Sequence, residues 1–398
     1  MDESLLNRSI SRLEDWLSKN GFAGLDPYTL QAKLYETAFY KRYGKYKLVK
    51  HLFFRALQIF PEYLLPILTP KPEINAKGLG LLAQGYLNLY ELEGKKQHFQ
   101  KASDILNWLN QNQSTGYPGC CWGYPFNWQS DIFIPAGTPS SVVTVTVGYS
   151  FLQAYKISKD ESYLEVIRGI SEFLTQSLNV SRPAEDEICF SYTPVDNKHV
   201  INANLFAGDF LAQASSILKD NNLLDTAKKV YNYTVRRQNP DGSFYYYGPE
   251  QVATPALVKV LKMIDHYHTG FVLRTLQSLS QQVTGKKENS AVEKGVKYYL
   301  DHLFNGYIPK HLPDRKYPVN IHSVSEALLV LNQFKSCPNA KDKLEELLPW
   351  AINNLQDKNG YFYYNFFPFR RVKIAYLRWG QAWMFYALTQ IKKGPDME

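Results

Sequence analysis

The sequence of 398 residues lacks several features that would place it in a specialised class of protein. It contains no run of 18 apolar residues, so we expect no membrane-spanning helix. Its first residues include neither a basic stretch nor an apolar one, which predicts no secretory signal. Cys120, Cys121, Cys189 and Cys337 show no paired spacing, so neither a disulfide framework nor a zinc site is indicated. We therefore expect a cytoplasmic protein with reduced thiols.

Blocks of like charge are also missing. The chain has 45 Lys and Arg against 37 Asp and Glu, and its formal net charge of +8 favours anionic partners in general. No block of five or six basic residues occurs, so we expect no nucleic-acid partner. Apolar residues make up 45% of the chain and charged residues 21%, a balance that permits a large core and argues against disorder.

Aromatic residues, by contrast, are abundant, with 29 Tyr, 22 Phe and 7 Trp. Tyr and Trp combine a large apolar face with a polar group, so they suit both the packing between helices and the stacking of sugar rings. Most of them must serve packing. Alternation of the strand type is scarce, and nearly all the periodicity in the sequence is helical.

Two kinds of helical segment alternate along the chain with a repeat of about sixty residues. One kind is amphipathic and ends in a turn of Gly and aromatic residues, as at Asp241-Gly-Ser-Phe244 and Asn359-Gly-Tyr-Phe362. Gly and Asn tolerate the left-handed backbone that ends a helix. The other kind is apolar on most sides and contains small residues, which suits closely packed, buried helices. We predict these inner helices at Lys77–Glu91, Pro139–Tyr155, Ala203–Leu218, Tyr267–Leu279, His322–Phe334 and Arg378–Gln390.

Six inner helices alternating with outer ones predict an all-α fold, an (α/α)6 toroid of two concentric rings. The outer helices are expected to begin near Tyr46 and to recur up to Lys343–Leu355. An open solenoid of the same hairpins is the alternative, but no terminal repeat resembles the polar cap that a solenoid needs. We predict a short N-terminal helical extension over residues 1–45 and the toroid domain over residues 46–398. Segments around Leu5–Lys19 and Tyr28–Tyr43 form that extension or the first outer elements.

In a toroid, all loops that lead from an outer to an inner helix emerge at the same mouth. Polar residues at the starts of the inner helices should therefore meet there, although they are far apart in sequence. Helix N-termini also present free N–H groups, which favour carboxylates and phosphates. The predicted catalytic residues are Asp265, Tyr267, His268 and His322. The predicted substrate-binding residues are Lys77, Trp122, Tyr124, Trp128, Asp131, Asn204, Glu326, Arg378 and Trp379.

Several of these residues also have a purely structural interpretation. Asp265 could cap a helix, and His322 could be a structural histidine with its hydrogen bonds satisfied. The aromatic cluster at 122–128 could plug the ring instead of binding a ligand. Asp265 and His268 have the spacing of metal ligands, but no third ligand is evident, so we expect no metal and no other cofactor.

The alternating helices and the turn at Asp241-Gly-Ser-Phe244 resemble two groups of toroid proteins. The first comprises terpenoid cyclases and prenyltransferases, but this chain lacks their Asp-x-Asp-Asp motif and their zinc ligands, so their chemistry does not carry over. The second is carbohydrate-active: unsaturated glucuronyl hydrolases, heparinase-type lyases and the helical domain of glucuronyl C5-epimerases. Trp122-Gly-Tyr-Pro-Phe-Asn-Trp128 and His268-Thr-Gly-Phe-Val-Leu also look like segments of bacterial proteins encoded with exopolysaccharide or O-antigen genes. This resemblance implies a role in surface-polysaccharide biosynthesis and assigns no catalytic residue.

The chemistry can be weighed from the residue types at the predicted mouth. Glycoside hydrolysis normally needs two facing carboxylates, for which Asp131 and Asp265 are the candidates. Removal of a proton beside a uronate carboxylate needs a base and groups that stabilise the developing enolate. The residues that match this second list better are His268, His322, Tyr267, Arg378, Asn204 and Lys77.

We therefore predict a carbohydrate-active protein of bacterial surface-polysaccharide biosynthesis. Its substrate is expected to be an anionic, uronate-containing saccharide, and its chemistry that of an epimerase or a lyase. A glycoside hydrolase with an Asp pair is one alternative. A glycan-binding or assembly protein without catalysis is the other.

Overall fold

The computed structural model describes residues 2–254, 257, 258, 260–286 and 289–394, and helices dominate this part of the chain. The predicted inner helices are all present, with ends within a few residues of those expected. Their side chains are buried on nearly every face, which explains the small and apolar residues that they contain. The inner helices are α6 (Ala76–Glu93), α8 (Ser141–Ser158), α10 (Ile201–Leu218), α12 (His266–Thr284), α14 (Ile321–Gln333) and α16 (Trp383–Lys393), the last continuing directly from the π-helical turn Leu377–Ala382.

The inner helices form a closed ring. Each packs against the next one along the chain, and α16 packs against α6. The fold is therefore an (α/α)6 toroid, as predicted, and the solenoid alternative is excluded. The outer helices within the described residues are α7 (Lys96–Gln111), α9 (Glu161–Gln176), α11 (Asn221–Val235), α13 (Ser290–His302), α15 (Ala340–Leu355) and α1 (Glu3–Asn20).

The glycine turns seen in the sequence join neighbouring outer helices. The Gln238 side-chain amide donates to the carbonyls of Gly242 and Ala291, at 2.9 and 2.7 Å. Gln356 does the same with Gly360 and Ser9, at 2.8 and 2.9 Å. Both glycines have a positive φ, 91° and 103°, and a Cβ on either would overlap a backbone carbonyl of the adjacent outer helix. The motif therefore fixes where each hairpin meets the next.

The first helix, α1, occupies the sixth outer position. It packs against α16, and its Leu6, Ile10, Leu13 and Leu17 belong to the main core. The bond from Gln356 to the first helix closes the outer ring. The division expected at residue 45 remains a prediction, but this packing argues against placing α1 in a separate extension.

The segment that does stand apart from the paired helices is α2–α5. It comprises short helices with a small core of their own, made by Leu30, Leu34 and Leu68. It connects α1 to α6 and borders the mouth of the ring. Its helices are α2 (Pro27–Glu36), α3 (Ala38–Tyr43), α4 (Lys47–Ile59) and α5 (Pro61–Leu68).

Short antiparallel strands lie in the connections that lead to the inner helices. Most pair as two-stranded ribbons, and β9, β10 and β11 form a small sheet in the order β11-β10-β9. The paired ribbons are β1 (Ala23–Gly24) with β2 (Glu73–Ile74), β3 (Trp128–Gln129) with β4 (Phe133–Ile134), β5 (Val180–Ser181) with β6 (Cys189–Phe190), and β7 (Phe304–Asn305) with β8 (Ile308–Pro309). The three-stranded sheet consists of β9 (Val319–Asn320), β10 (Asn365–Phe367) and β11 (Arg370–Val372).

Among the described residues, no helix is long and apolar enough to cross a membrane.

Candidate active site

A cavity of about 110 Å³ opens at the mouth of the ring, where the inner helices begin. Side-chain caps start several of these helices: Asn75, Asp265 and Asn320 each accept a hydrogen bond from the first turn that follows. These caps hold the adjoining side chains at the cavity wall. The predicted site residues that line it are Lys77, Tyr124, Trp128, Tyr267, His268, His322, Arg378 and Trp379.

His268 is held by the carboxylate of Asp265. The Nδ1 atom of His268 lies 2.6 Å from Oδ2 of Asp265, and the other oxygen, Oδ1, accepts from the His268 backbone N–H at 2.9 Å. Burial alone would raise the pKa of Asp265, but the charge and hydrogen bond of His268 outweigh it and lower that pKa. Asp265 is thus both a helix cap and the partner that orients an imidazole. Nε2 is left as the nitrogen that can reach a substrate.

His322, unlike His268, has no carboxylate partner. It is buried, and neither ring nitrogen has a hydrogen-bond partner among the described residues. Its ring stacks on Tyr267 at 4.7 Å between centroids and meets the edge of Trp379 at 4.6 Å. Burial lowers the pKa of His322 well below its ordinary value, and the charges of Lys77 and Arg378 add to that effect. The imidazole is therefore neutral at physiological pH and presents an unused lone pair. An unpaired buried polar group is costly, so both ring nitrogens of His322 remain available for a hydrogen bond.

Lys77 brings a cation to the same wall. Its Nζ lies 5.5 Å from the ring centre of Phe271 and 5.4 Å from that of Trp383. Burial, together with the charge of Arg378, lowers the pKa of Lys77 to about 7, although Glu326 and Asp26 act in the opposite direction. This side chain can therefore change its charge near neutral pH.

Arg378 lines the cavity, but its charge is already used. Its Nε and Nη2 atoms donate to the two carboxylate oxygens of Asp26 at 2.6 and 2.7 Å, and both side chains are buried. It begins the sixth inner helix within a π-helical segment, Leu377–Ala382, a distortion that often marks functional sites. The two guanidinium N–H groups that could bind a substrate carboxylate already donate to Asp26. The predicted role of Arg378 as a carboxylate ligand is therefore not supported by its contacts.

Aromatic rings form most of the remaining wall. Tyr267 contacts both histidines, with a centroid distance of 4.3 Å to His268, and Trp379 donates its indole N–H to Asn320 at 3.0 Å. Burial raises the pKa of Tyr267 well above its ordinary value, so its phenol stays protonated. Tyr267 can donate a hydrogen bond but is a poor base, so His268 and His322 are the better candidates for removing a proton.

Some of the residues predicted at the mouth lie elsewhere. Trp122 is in the core, where its ring stacks on Phe151 and its indole N–H donates to the Leu109 carbonyl. Asn204 is one turn into α10 and bonds the backbone of Ile188 and Phe190. Neither residue lines the cavity: Trp122 lies in the loop after α7 and is drawn into the core by its bonds to Leu109 and Thr144, and the rotation of α10 turns Asn204 away.

The predicted acidic residues also lie outside the cavity lining. Asp131 pairs with Lys198 at 2.9 Å, and Glu326 is buried in α14, where it accepts two bonds from Arg274. Asp265 lies behind His268 and contacts a smaller adjoining recess. Among the described lining residues none is Asp or Glu.

Several lining residues were missed in the sequence. The ring of Tyr246 is tilted against that of His268, with 4.5 Å between the centroids, and Tyr28 stacks on Phe126 at 5.7 Å. Tyr246 lies in the loop before α12, so its position at the mouth could have been anticipated. Tyr28 comes from α2, and only the tertiary structure brings it to the ring. The missed lining residues are Tyr28, Phe126, Val142, Tyr192, Tyr246 and Phe271, whereas Asn202, at the start of α10, is a polar residue expected at the mouth.

No three His, Cys, Asp or Glu side chains in the described part of the chain come together as ligands for a metal ion.

No protein-family model matches this chain, and no curated protein sequence does. Solved structures do. A cellobiose 2-epimerase from Bacillus thermoamylovorans is similar with a TM-score of 0.62 and 10% identity, over 80% of this chain and 88% of the epimerase. A sugar epimerase from a ruminal bacterium gives 0.63 and 12%, over 81% of this chain and 89% of that one.

An α-1,6-mannanase from Salegentibacter sp. is similar with a TM-score of 0.57 and 17% identity, over 80% of this chain and 91% of the mannanase. These proteins are (α/α)6 toroids that act on carbohydrates. At such low identity the likeness shows the fold, and it confirms the toroid.

Proposed function

We propose that this chain is a sugar epimerase or isomerase that moves a proton at a carbon beside a carbonyl group, with His268 and His322 as its acid and base. The observation that carries the proposal is the pair of imidazoles in one cavity. One is oriented by a carboxylate and the other has both ring nitrogens free. Both also contact the rings of Tyr267 and Phe271, which brings them to the same part of the wall.

The proposed reaction needs only a base and an acid. A carbon beside a carbonyl loses its proton to a neutral imidazole, and the electron pair moves onto the carbonyl oxygen to give an enolate. Return of a proton to the same carbon from the other face inverts it. If the hydroxyl on that carbon passes its proton to the former carbonyl oxygen, return of a proton to the former carbonyl carbon gives the isomer. The histidine that takes the proton becomes an imidazolium, and the histidine that returns one starts as an imidazolium, so the two exchange roles between the forward and the reverse direction.

Lys77 is the group best placed to stabilise the enolate oxygen. It is the one cation among the described lining residues whose charge is not taken up by an ion pair. A cation beside developing negative charge in a water-poor site lowers the barrier by about 3 kcal/mol. Tyr267 contributes a neutral phenol that can donate to the same region.

The contacts weigh against the hydrolase alternative. Glycoside hydrolysis needs two carboxylates at the substrate, and the described cavity wall contains none. An inactive form of the Salegentibacter mannanase has two sequence-adjacent aspartates replaced, and no Asp-Asp pair occurs in this chain. Asp131, one of the predicted pair, is engaged by Lys198.

The substrate is expected to be a saccharide, since the similar structures include epimerases, an isomerase and mannanases. The aromatic wall suits the stacking of sugar rings. Because Arg378 is paired with Asp26, a uronate carboxylate would have to bind Lys77, and the site fits the carbonyl of a neutral reducing sugar better. Surface-polysaccharide biosynthesis stays a prediction from the resemblance in sequence.

The test is incubation of the purified protein with reducing mono- and disaccharides and with uronates in heavy water, followed by NMR. Epimerase or isomerase activity places deuterium on the carbon beside the carbonyl and yields a new sugar. Release of a monosaccharide without that label would support hydrolysis instead. Saturable binding without turnover would leave the glycan-binding alternative.

A further inference from the structure

The α2–α5 segment has a strongly uneven charge. Between Glu36 and Glu62 the sequence holds six Lys and Arg residues and no Asp or Glu. This stretch is thus +6, against a formal net charge of +8 for the whole protein. Four of its cations are exposed at Lys41, Arg42, Lys45 and Lys50.

The same segment exposes large apolar side chains. Leu48 is 71% exposed and Ile67 74%, and Phe39, Leu52 and Tyr63 are also exposed. Such residues are individually ordinary on a surface, but a concentration of them within thirty residues marks an interaction site.

In α4 the two kinds of residue share one face. Leu48, His51, Leu52 and Arg55 are exposed at the spacing of successive helical turns. The opposite face, with Phe53 and Leu57, packs on the small core of the segment. The outward face of α4 is therefore an apolar strip bordered by cations.

The patch continues onto the β10–β11 turn. Phe369 there is fully exposed, and the guanidinium of the next residue, Arg370, lies 4.7 Å from the ring centre of Phe60. Arg370 also pairs with Glu62, and Asn365 donates to the Gln58 carbonyl at 3.1 Å. These contacts fix the segment to the toroid, so its exposed face has a defined direction.

The segment also borders the cavity mouth. The helix α2 begins at Pro27 beside Tyr28, which lines the cavity, and it packs against β3, which carries the lining residue Trp128. A surface that covers the exposed face of α2–α5 would therefore lie next to the entrance of the site.

We infer that the exposed face of α2–α5, together with the Phe369 turn, docks on an anionic phospholipid surface. Helices that lie in the interface of a membrane combine Lys and Arg with Leu and Phe in this way, the apolar side chains reaching below the headgroups. Anionic lipids complement the uncompensated positive charge. Nucleic acid would use the cations and some aromatic rings, but it offers nothing to the aliphatic side chains Leu48, Leu52 and Ile67. The inference does not depend on the proposed chemistry.

The experiment is sedimentation of the full chain with vesicles of phosphatidylcholine, alone or mixed with phosphatidylglycerol. Wild type should bind the anionic vesicles, and raised salt should weaken that binding. The charge variant Lys41→Glu/Lys45→Glu/Lys50→Glu should lose at least about 100-fold in partitioning, since each cation near such a surface contributes roughly fivefold. Leu48→Ser/Leu52→Ser should lose binding while all cations remain.

Matched controls separate the patch from general charge and hydrophobicity. Lys335→Glu/Lys341→Glu/Lys358→Glu makes the same charge change at exposed sites elsewhere, and Leu92→Ser removes an exposed leucine at the far end of α6. Both should bind as wild type does, and all variants should keep the thermal transition of the parent.

Three results would overturn the inference. Equal binding to neutral and anionic vesicles would remove the role of charge, and equal loss in the control variants would remove the role of the patch. Binding to single-stranded nucleic acid, or self-association abolished by Leu48→Ser/Leu52→Ser, with no vesicle binding, would assign the patch to another partner.

Discussion

Arg378 and Asp26 form a buried bidentate ion pair that joins the two ends of the chain. Arg378 starts the sixth inner helix, and Asp26 caps α2, where its Oδ1 also accepts from the Tyr28 N–H at 3.0 Å. The pair therefore positions Tyr28 at the cavity and fixes the guanidinium in place. It also cancels a charge that would otherwise favour an acidic substrate.

Breaking this pair should unfold the protein more readily. Arg378→Met leaves the Asp26 carboxylate buried without its partner, which typically costs about 3–5 kcal/mol. Urea unfolding should show that loss, and Arg378→Met combined with Asp26→Asn should recover part of it because Asn keeps the helix cap. Lys228→Ala, in an exposed pair with Asp225, should cost less than about 1 kcal/mol. An Arg378 variant that binds more weakly but is fully stable would contradict the structural role.

Asp265 should matter for turnover more than for stability. Asp265→Asn preserves a good cap for α12 and removes the charge that holds His268 in one orientation. We expect kcat to fall at least about 10-fold, with little change in Tm. Asp265→Ala should lower both. If Asp265→Asn retained full activity, its carboxylate would be a helix cap only.

The pH dependence of activity should follow Lys77 on its alkaline side. Its pKa is lowered to about 7, so the cation that stabilises the enolate disappears above that pH and kcat/KM should decline there. On the acid side His322 stays neutral to a pH well below its ordinary pKa, so activity should persist into mildly acidic solution. In Lys77→Arg the alkaline decline should move upward, because guanidinium keeps its proton. An unchanged alkaline limb in this variant would remove Lys77 from that role.

Burial of the charged Lys77 side chain should also lower the free energy of unfolding. A lysine whose pKa is lower in the folded state binds fewer protons than in the unfolded chain, so stability falls as pH drops from the ordinary lysine pKa of 10.5 to about 7 and is constant below that. Lys77→Met should therefore raise Tm by at least about 2 °C at pH 7, by less at pH 10, and lose activity. A lower Tm at both pH values would mean that the charge is stabilised by its surroundings.

Periodicity and small residues were enough to locate the inner helices, because a helix buried on all sides has a composition that local sequence displays. The same reasoning placed Lys77, His268, His322 and Trp379 at one mouth, since closure of the ring brings helix starts together. It did not determine which way a side chain turns after the first residues of a helix. Asn204, one turn into α10, faces the β6 backbone for that reason.

Contacts between distant parts of the chain were beyond the reach of the sequence pattern. The partner of Arg378 lies 352 residues away, and nothing in the local composition around Asp26 distinguishes it from an ordinary cap. The place of α1 in the outer ring likewise depends on its packing against α16. Ion pairs of this kind decide which polar groups are left for a substrate. Residue types at the mouth therefore do not by themselves identify the groups that bind it.

The most direct test of the two-histidine site is deuterium incorporation by wild type and by single His→Gln variants at positions 268 and 322, with His302→Gln as an exposed control. With a sugar that wild type converts in heavy water, NMR should show label at the carbon beside the carbonyl. The variants at 268 and 322 should each lose roughly 100-fold or more in the rate of labelling, and His302→Gln should match wild type. Full labelling rates in both site variants, or conversion by wild type without any label, would contradict proton transfer by these histidines.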